Sequence, residues 1–137
     1  MNTPHKLSPC HCLNIRWIAN KMISDYDALL KPSGLTSQQF SVLMALSQES
    51  PRTVTALSNY LRLDRTTLSR NIKILLDQDL IEYTTPRGRA KLLTLTTKGS
   101  ETFTKAESFW AEAQNQFTQK LSPEKLALWN KLIEELL

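Results

Sequence analysis

Residues 53–95 constrain this chain more than any other stretch, because the order of their patterns admits few folds. Two short runs with apolar residues three to four apart predict helices, and two runs that alternate apolar and polar residues predict strands. In the first run Thr53 is the cap and Val54, Leu57 and Leu61 are the buried stripe. Arg62-Leu63 forms a turn. Asp64 caps the second run, where a carboxylate also suits the helix dipole. Leu63 and Leu68 stand at N′ and N4, a hydrophobic staple that fixes how the chain enters this helix. Leu68, Ile72, Leu75 and Leu76 supply its inner face. Arg65, Thr66, Ser69, Arg70 and Lys73 point outward, with Thr67 at the margin. Strands at 81–84 and 90–96 follow, separated by the basic tip Pro86-Arg87-Gly88-Arg89, where Gly88 permits a tight turn. Two helices and then a basic hairpin are what a helix-turn-helix with a β-wing requires.

The flanks predict long helices. Ser8-Pro9 reads as an N-cap followed by Pro at N1, opening a helix to about Lys31 with Ile15, Ile18, Met22, Tyr26, Leu29 and Leu30 spaced three to four apart. Pro32-Ser33-Gly34 ends it. Thr36-Ser37-Gln38-Gln39 has capping-box spacing and opens a second helix carrying Phe40, Leu43, Met44 and Leu46. Ser50-Pro51-Arg52 reads as a break. After the wing, Thr96 or Thr97 caps a helix over about 98–120 with Phe103, Ala106, Phe109, Trp110, Ala113 and Phe117. Ser122-Pro123-Glu124 opens a last helix with Leu126, Trp129, Leu132, Ile133, Leu136 and Leu137. The predicted fold is mainly α with a small β-wing. A winged helix-turn-helix lobe at 36–97 sits between dimerisation helices at 8–32 and 98–137, in a single domain spanning 1–137. The flanking helices carry Trp17, Trp110, Trp129, Phe103, Phe109 and Phe117. A lobe of about 65 residues offers too little surface to cover so much aromatic area, which predicts a homodimer.

Charge follows the same division. Residues 52–98 carry nine Lys or Arg against four Asp or Glu, while 1–51 and 99–137 net only +1 and −2. The positive charge thus gathers on the second helix and the wing, as an electrostatic footprint for phosphate does. A helix that opens Asp64-Arg65-Thr66-Thr67-Leu68-Ser69-Arg70 brings to a major groove Arg for guanine O6 and N7, and Thr for hydroxyl contacts and the thymine methyl. Arg70 and Lys73 follow one turn on, placed for bases or backbone. At the wing, Arg87 and Arg89 suit a narrow minor groove, and Lys91 a phosphate. The competing reading is a winged helix used only for protein contacts. Such a module has no need of four basic residues against one acid over positions 62–73.

At this point the chain resembles the MarR family of winged helix-turn-helix transcriptional regulators. The matching residues are Gly34-Leu35-Thr36-Ser37-Gln38-Gln39-Phe40, Leu63-Asp64-Arg65-Thr66-Thr67-Leu68-Ser69-Arg70 and Leu93-Thr94-Leu95-Thr96-Thr97-Lys98-Gly99, and the similarity runs over about 10–137. The resemblance implies a homodimer with interlocked terminal helices. It implies binding to a pseudo-palindromic double-stranded DNA operator, usually as a repressor, with release by small molecules or oxidants. It matches the family's wing arginine to Arg89. The family's wing usually has Asp two residues before that Arg, whereas this chain has Arg87, which implies a looser, more basic and less selective wing.

Control of binding has two candidate seats. Cys10 and Cys12 form a C-x-C near the start of the first helix, with His5 and His11 nearby. Helix starts favour thiol chemistry, so the pair is a candidate thiol sensor; with His11 it is also a weak candidate for a soft metal. No further Cys exists for a disulfide framework. Alternatively, Arg16, Trp17 and Phe40 line a pocket for a small-molecule effector. No Gly-rich phosphate loop, H-x-x-x-H or nucleophile elbow is present, so neither enzyme activity nor a cofactor is expected. No run approaches the ~18 apolar residues of a membrane span, and the N-terminus lacks the apolar core of a secretory signal, so the expected location is cytoplasmic.

Overall fold

The computed structural model describes residues 6–50, 52–85 and 91–137. The wing tip predicted from sequence, with Arg87 and Arg89, lies outside the described residues. The elements run α1 His11–Leu30, a 3₁₀ turn Lys31–Ser33, α2 Ser37–Gln48, α3 Val54–Leu61, α4 Arg65–Asp77, β1 Ile81–Thr84, β2 Leu92–Leu95, α5 Thr97–Gln119 and α6 Pro123–Leu136. The mainly helical winged-helix architecture expected from sequence is present.

One expected boundary moves. The first helix starts at His11 and not behind Ser8-Pro9. The Ser8 hydroxyl accepts from the Cys10 amide at 3.1 Å, and the Ser8 backbone exchanges two bonds with the Asn14 amide, each 2.9 Å. Ser8 therefore closes a turn ahead of the helix, and Cys10 is the N-cap without a side-chain cap bond.

The other helix starts follow their caps. Thr36 and Gln39 form the reciprocal capping box, at 3.2 and 3.1 Å, satisfying two donors that the helix itself leaves unpaired. A third donor at the same terminus, the Ser37 amide, reaches Asp27 of α1 at 2.6 Å, so the first helix caps the second. Thr53, Asp64, Thr96 and Ser122 cap α3 to α6 through the amide three residues on. The chain leaves α4 by a Schellman motif: the Leu80 amide bonds the Leu75 carbonyl and the Asp79 amide bonds the Leu76 carbonyl, both at 3.0 Å. Asp79 takes the left-handed position with φ 57° that glycine usually fills.

The core joins α2, α3, α4, the hairpin and α5. Leu43, Leu46, Leu57, Leu68, Leu75 and Leu93 are fully buried, and truncating any of them to Ala costs about 2–5 kcal/mol. Phe40 stacks on Phe103 and on Trp110, with ring centres 5.2 and 5.8 Å apart. Phe103, Phe109 and Trp110 all pack against this core. This narrows the aromatic argument made from sequence: Phe103, Phe109 and Trp110 are half-buried against their own chain, and so are Phe117 and Trp129, whose ring centres lie 5.7 Å apart. The uncovered apolar surface lies elsewhere. On α1, Ile15, Trp17, Ile18 and Ile23 are exposed; on α6, Leu128, Leu132, Ile133 and Leu136 are exposed and no residue is buried.

β1 and β2 pair antiparallel, with Ile81 opposite Leu95 and Tyr83 opposite Leu93. The predicted break at Ser50-Pro51-Arg52 includes a further rung: Arg52 and Leu93 exchange both backbone bonds, at 2.9 and 2.7 Å.

Candidate nucleic-acid interface

Presentation of α4 begins in the turn before it. Arg62 adopts the left-handed conformation, φ 52°, and the Ser58 hydroxyl donates to the Leu63 carbonyl at 2.9 Å, which closes the helix-turn-helix corner. Leu63 packs against the core cluster that contains the buried Leu68, the arrangement the predicted staple needs. Asp64 then accepts from the Thr67 amide at 3.0 Å and the Thr67 hydroxyl at 2.6 Å. These bonds, the hydroxyl's first, hold the Asp64 carboxyl below its ordinary range.

The outward residues divide by their engagements. Arg65 is exposed, and its guanidinium reaches back to the Thr55 hydroxyl of α3 at 3.1 Å. Thr67 is half-buried with its hydroxyl committed to Asp64. Thr66, Ser69, Arg70 and Lys73 are exposed, along a helix of 13 residues. The four share a polar ridge at the helix's N-terminal two-thirds, where donors are dense and the backbone dipole is positive.

Asn71 was not singled out from sequence. It is buried on the inner stripe, donating to the Gln38 side chain of α2 at 3.1 Å and to the Thr67 carbonyl at 3.2 Å. Its signal was available: a polar residue among Leu68, Ile72 and Leu75 on an otherwise apolar face. The amide pair fixes the rotation of α4 about its axis, and thus which side chains face outward.

At the hairpin, Lys91 is exposed, with its ammonium 5.3 Å from the centre of the Tyr83 ring. That contact holds the cation at the root of the wing. The Lys98 ammonium donates to the Gln78 carbonyl at 2.9 Å, meeting a free acceptor at the end of α4.

The candidate control residues are at the opposite end of the chain. Cys10 and Cys12 are both exposed free thiols, and His11 between them is exposed. Among the described residues no three His, Cys, Asp or Glu side chains gather as a metal site. The pocket expected from Arg16, Trp17 and Phe40 is not assembled: Arg16 and Trp17 are exposed, while Phe40 is sealed under Phe103 and Trp110. A groove of about 260 Å³ lies instead between α1, α5 and α6, walled by Ile18, Met22, Leu29, Phe117, Leu121 and Trp129. Lys21 and Lys120 meet Asp25 at its rim, at 2.5 and 3.4 Å, and Lys21's hydrogen bond leads in lowering the Asp25 carboxyl. The Tyr26 hydroxyl, raised above its ordinary range by burial, donates to Gln114 across the groove wall. Among the described residues no helix is long and apolar enough to cross a membrane.

Comparison with known proteins places these features. Residues 33–91 match the family model described as MarR family. The transcriptional regulator MosR of M. tuberculosis is 28% identical, with a TM-score of 0.77 over 95% of this chain and 99% of that one. BpsR of Bordetella bronchiseptica, in a structure concerned with regulation of DNA binding by 6-hydroxynicotinic acid, is 20% identical, with a TM-score of 0.85 over 99% and 100%. A mutant of E. coli MarR complexed with operator DNA is 21% identical, with a TM-score of 0.82 over 90% of each chain. MosR has also been solved in complex with DNA, at 29% identity and a TM-score of 0.74 over 93% and 98%. Among curated proteins none matches the sequence significantly.

Proposed function

From a chain that is MarR-family sequence over residues 33–91, on a fold shared with MarR-family regulators, we propose a sequence-specific reader of double-stranded DNA that regulates transcription. The observation that carries this reading is the α4 ridge: Thr66, Ser69, Arg70 and Lys73 stand exposed on a helix whose rotation is locked by Asn71 and whose start is locked by Asp64. Thr66 and Ser69 offer hydroxyls, Arg70 a fork for guanine, and Lys73 a phosphate contact. Arg65 and Thr67 complete the recognition helix, Arg65 approaching from its seat on Thr55. Arg87, Arg89 and Lys91 supply the wing. The solved complexes of MosR and of a MarR mutant with DNA support the reading.

The reader works as a homodimer. The exposed apolar rows of α1 and α6 require cover, and a two-fold dimer joined there sets two recognition helices about 34 Å apart, matching the half-sites of a pseudo-palindrome. It acts as a repressor released by an effector. Two seats serve release: the α1–α5–α6 groove for a small apolar molecule, and the exposed Cys10 and Cys12 for thiol oxidation. The regulation of BpsR DNA binding by 6-hydroxynicotinic acid supports control by a small molecule.

The test is binding of the purified chain to duplexes from its own promoter and to random duplex at fixed moderate salt. Promoter duplex binds preferentially, and Arg70→Ala costs about 1–3 kcal/mol at the base pair it reads. Equal affinity for both duplexes overturns the reading.

A further inference from the structure

Arg52 stands apart from the other cations of the basic lobe. Its side chain is only 10% exposed. The Nε atom donates to the Glu49 carbonyl at 2.8 Å and a terminal nitrogen meets the Glu49 carboxylate at 3.2 Å. The guanidinium lies 4.7 Å from the centre of the Tyr60 ring, and the Tyr60 hydroxyl is itself tied to Gln48 at 3.0 Å. Meanwhile the Arg52 backbone exchanges both hydrogen bonds with Leu93, the central buried residue of β2. One residue thus grips the end of α2, the outer face of α3 and the strand that returns from the wing. A second tie runs alongside, between the Ser50 and Thr94 hydroxyls at 2.7 Å.

A cation meant for phosphate stands exposed with donors free; this one is covered and pinned. Covering a guanidinium carries a desolvation cost that its partners must offset, so its use here is geometric rather than stabilising. Resting on the DNA-reading function proposed above, we infer that Arg52 is a positioning residue: the Glu49–Arg52–Tyr60 clamp sets the angle of the β1–β2 hairpin relative to α4, and through it the wing's share of DNA affinity. Cation–π stacking and a forked hydrogen-bond pattern both fix orientation, which a lysine at this place reproduces only in part.

The experiment measures full-length protein on promoter duplex across a salt series. Arg52→Ala loses about five- to tenfold in affinity, the lower range of ordinary coupling effects. The dependence of log K on log salt flattens by about one unit for each phosphate contact the wing gives up. The preference for promoter over random duplex, set by α4, persists. Tyr60→Leu, which removes the ring and leaves Arg52 in place, moves both quantities the same way; Tyr60→Phe stays close to wild type. In a background of Arg87→Ala, Arg89→Ala and Lys91→Ala, Arg52→Ala adds nothing, because the wing it aims is already silent. Thermal melts of each variant separate loss of fold from loss of aim, and Tyr60→Leu carries the test if Arg52→Ala melts early. Unchanged affinity and salt slope in both Arg52→Ala and Tyr60→Leu overturn the inference. So does a full additional loss in the wing-silent background. If the wild-type chain itself shows no promoter preference, the DNA-reading function fails and the inference falls with it; normal wild-type binding with indifferent variants removes the clamp alone.

Discussion

Gly99 tests whether the junction between recognition helix, wing and α5 is built as described. It is the third residue of α5, and its amide donates to the capping Thr96 hydroxyl at 2.9 Å. A Cβ at this position would lie 1.8 Å from the Leu80 carbonyl oxygen and 2.9 Å from its carbon. The obstacle is backbone, and that oxygen already accepts from the Thr96 amide at 3.1 Å. Restoring a carbon–oxygen separation of about 3.3 Å moves the first turn of α5 by roughly 1.5 Å from the end of α4. Gly99→Ala therefore incurs an overpacking cost of about 1–3 kcal/mol. Loosening the Thr96–Leu80 bond and the Thr96 cap adds about 1 kcal/mol each. Alanine returns at most about 1 kcal/mol of helix propensity. The net destabilisation is about 3 kcal/mol, or a fall of about 10 °C in Tm for a chain of this size.

Gly34→Ala is the control. Gly34 has φ 79° and open space around its Cβ position, so the substitution meets backbone strain alone and costs about 1 kcal/mol. Urea and thermal unfolding at one protein concentration measure both, since a dimer's stability depends on concentration. Equal losses for the two variants, or a Gly99→Ala protein as stable as wild type, refute the close approach of α5 to Leu80.

Three further outcomes are expected. Asp79→Gly relieves a left-handed φ at the Schellman position while keeping the carbonyl that accepts from Thr96, and raises stability by up to about 1 kcal/mol in urea unfolding. Because the folded carboxyl of Asp64 lies below its unfolded value, its capping contribution is complete above about pH 4 and is lost as pH falls through the lowered folded value. Asp64→Asn, still a capping residue, loses that dependence, so a urea midpoint falling equally in both proteins below pH 4 contradicts the cap's role. In the homodimer proposed above, Leu132→Glu places a charge on the exposed face of α6 and yields a folded monomer in analytical ultracentrifugation; a variant that stays dimeric moves the interface elsewhere, and a monomeric wild type removes the dimer.

What was legible in the sequence was local. Capping pairs such as Thr36 with Gln39, and Asp64 with Thr67, lie three residues apart, so spacing alone identifies them. The strand at Ile81–Thr84 is readable because its pattern too is local. What was hidden depends on partners far along the chain. Arg52 looked like part of a break because its rung mate is Leu93. Asp27 carries no local signal of its role because the terminus it caps belongs to α2. The aromatics of α5 read as surplus because composition records how much apolar surface exists and says nothing of which neighbour covers it. Ser8 failed as a helix start although its type was right, since its hydroxyl serves the Cys10 amide before the helix begins.

In the DNA-reading role proposed above, the side chains of α4 divide by what each must give up to meet a base. Among the described residues, hydrogen bonds engage the side chains of Arg65 and Thr67 but none engages those of Thr66, Ser69, Arg70 and Lys73. Thr67 must give up the Asp64 bond to donate its hydroxyl proton to a base, although its oxygen stays free to accept, whereas Arg65 keeps most of its five donors while one rests on Thr55. Arg70 gains a base contact with no internal bond to break, but it also pays the rotamer entropy of an unrestrained side chain, up to about 2 kcal/mol. Arg65 is already held and pays less. The two arginines thus reach similar net contributions by opposite routes. Thr55→Val separates them: freeing the Arg65 guanidinium weakens promoter binding in the wild-type background and changes nothing once Arg65 is replaced by Ala. A Thr55→Val loss that persists in Arg65→Ala protein would show that Thr55 acts on DNA by some other contact.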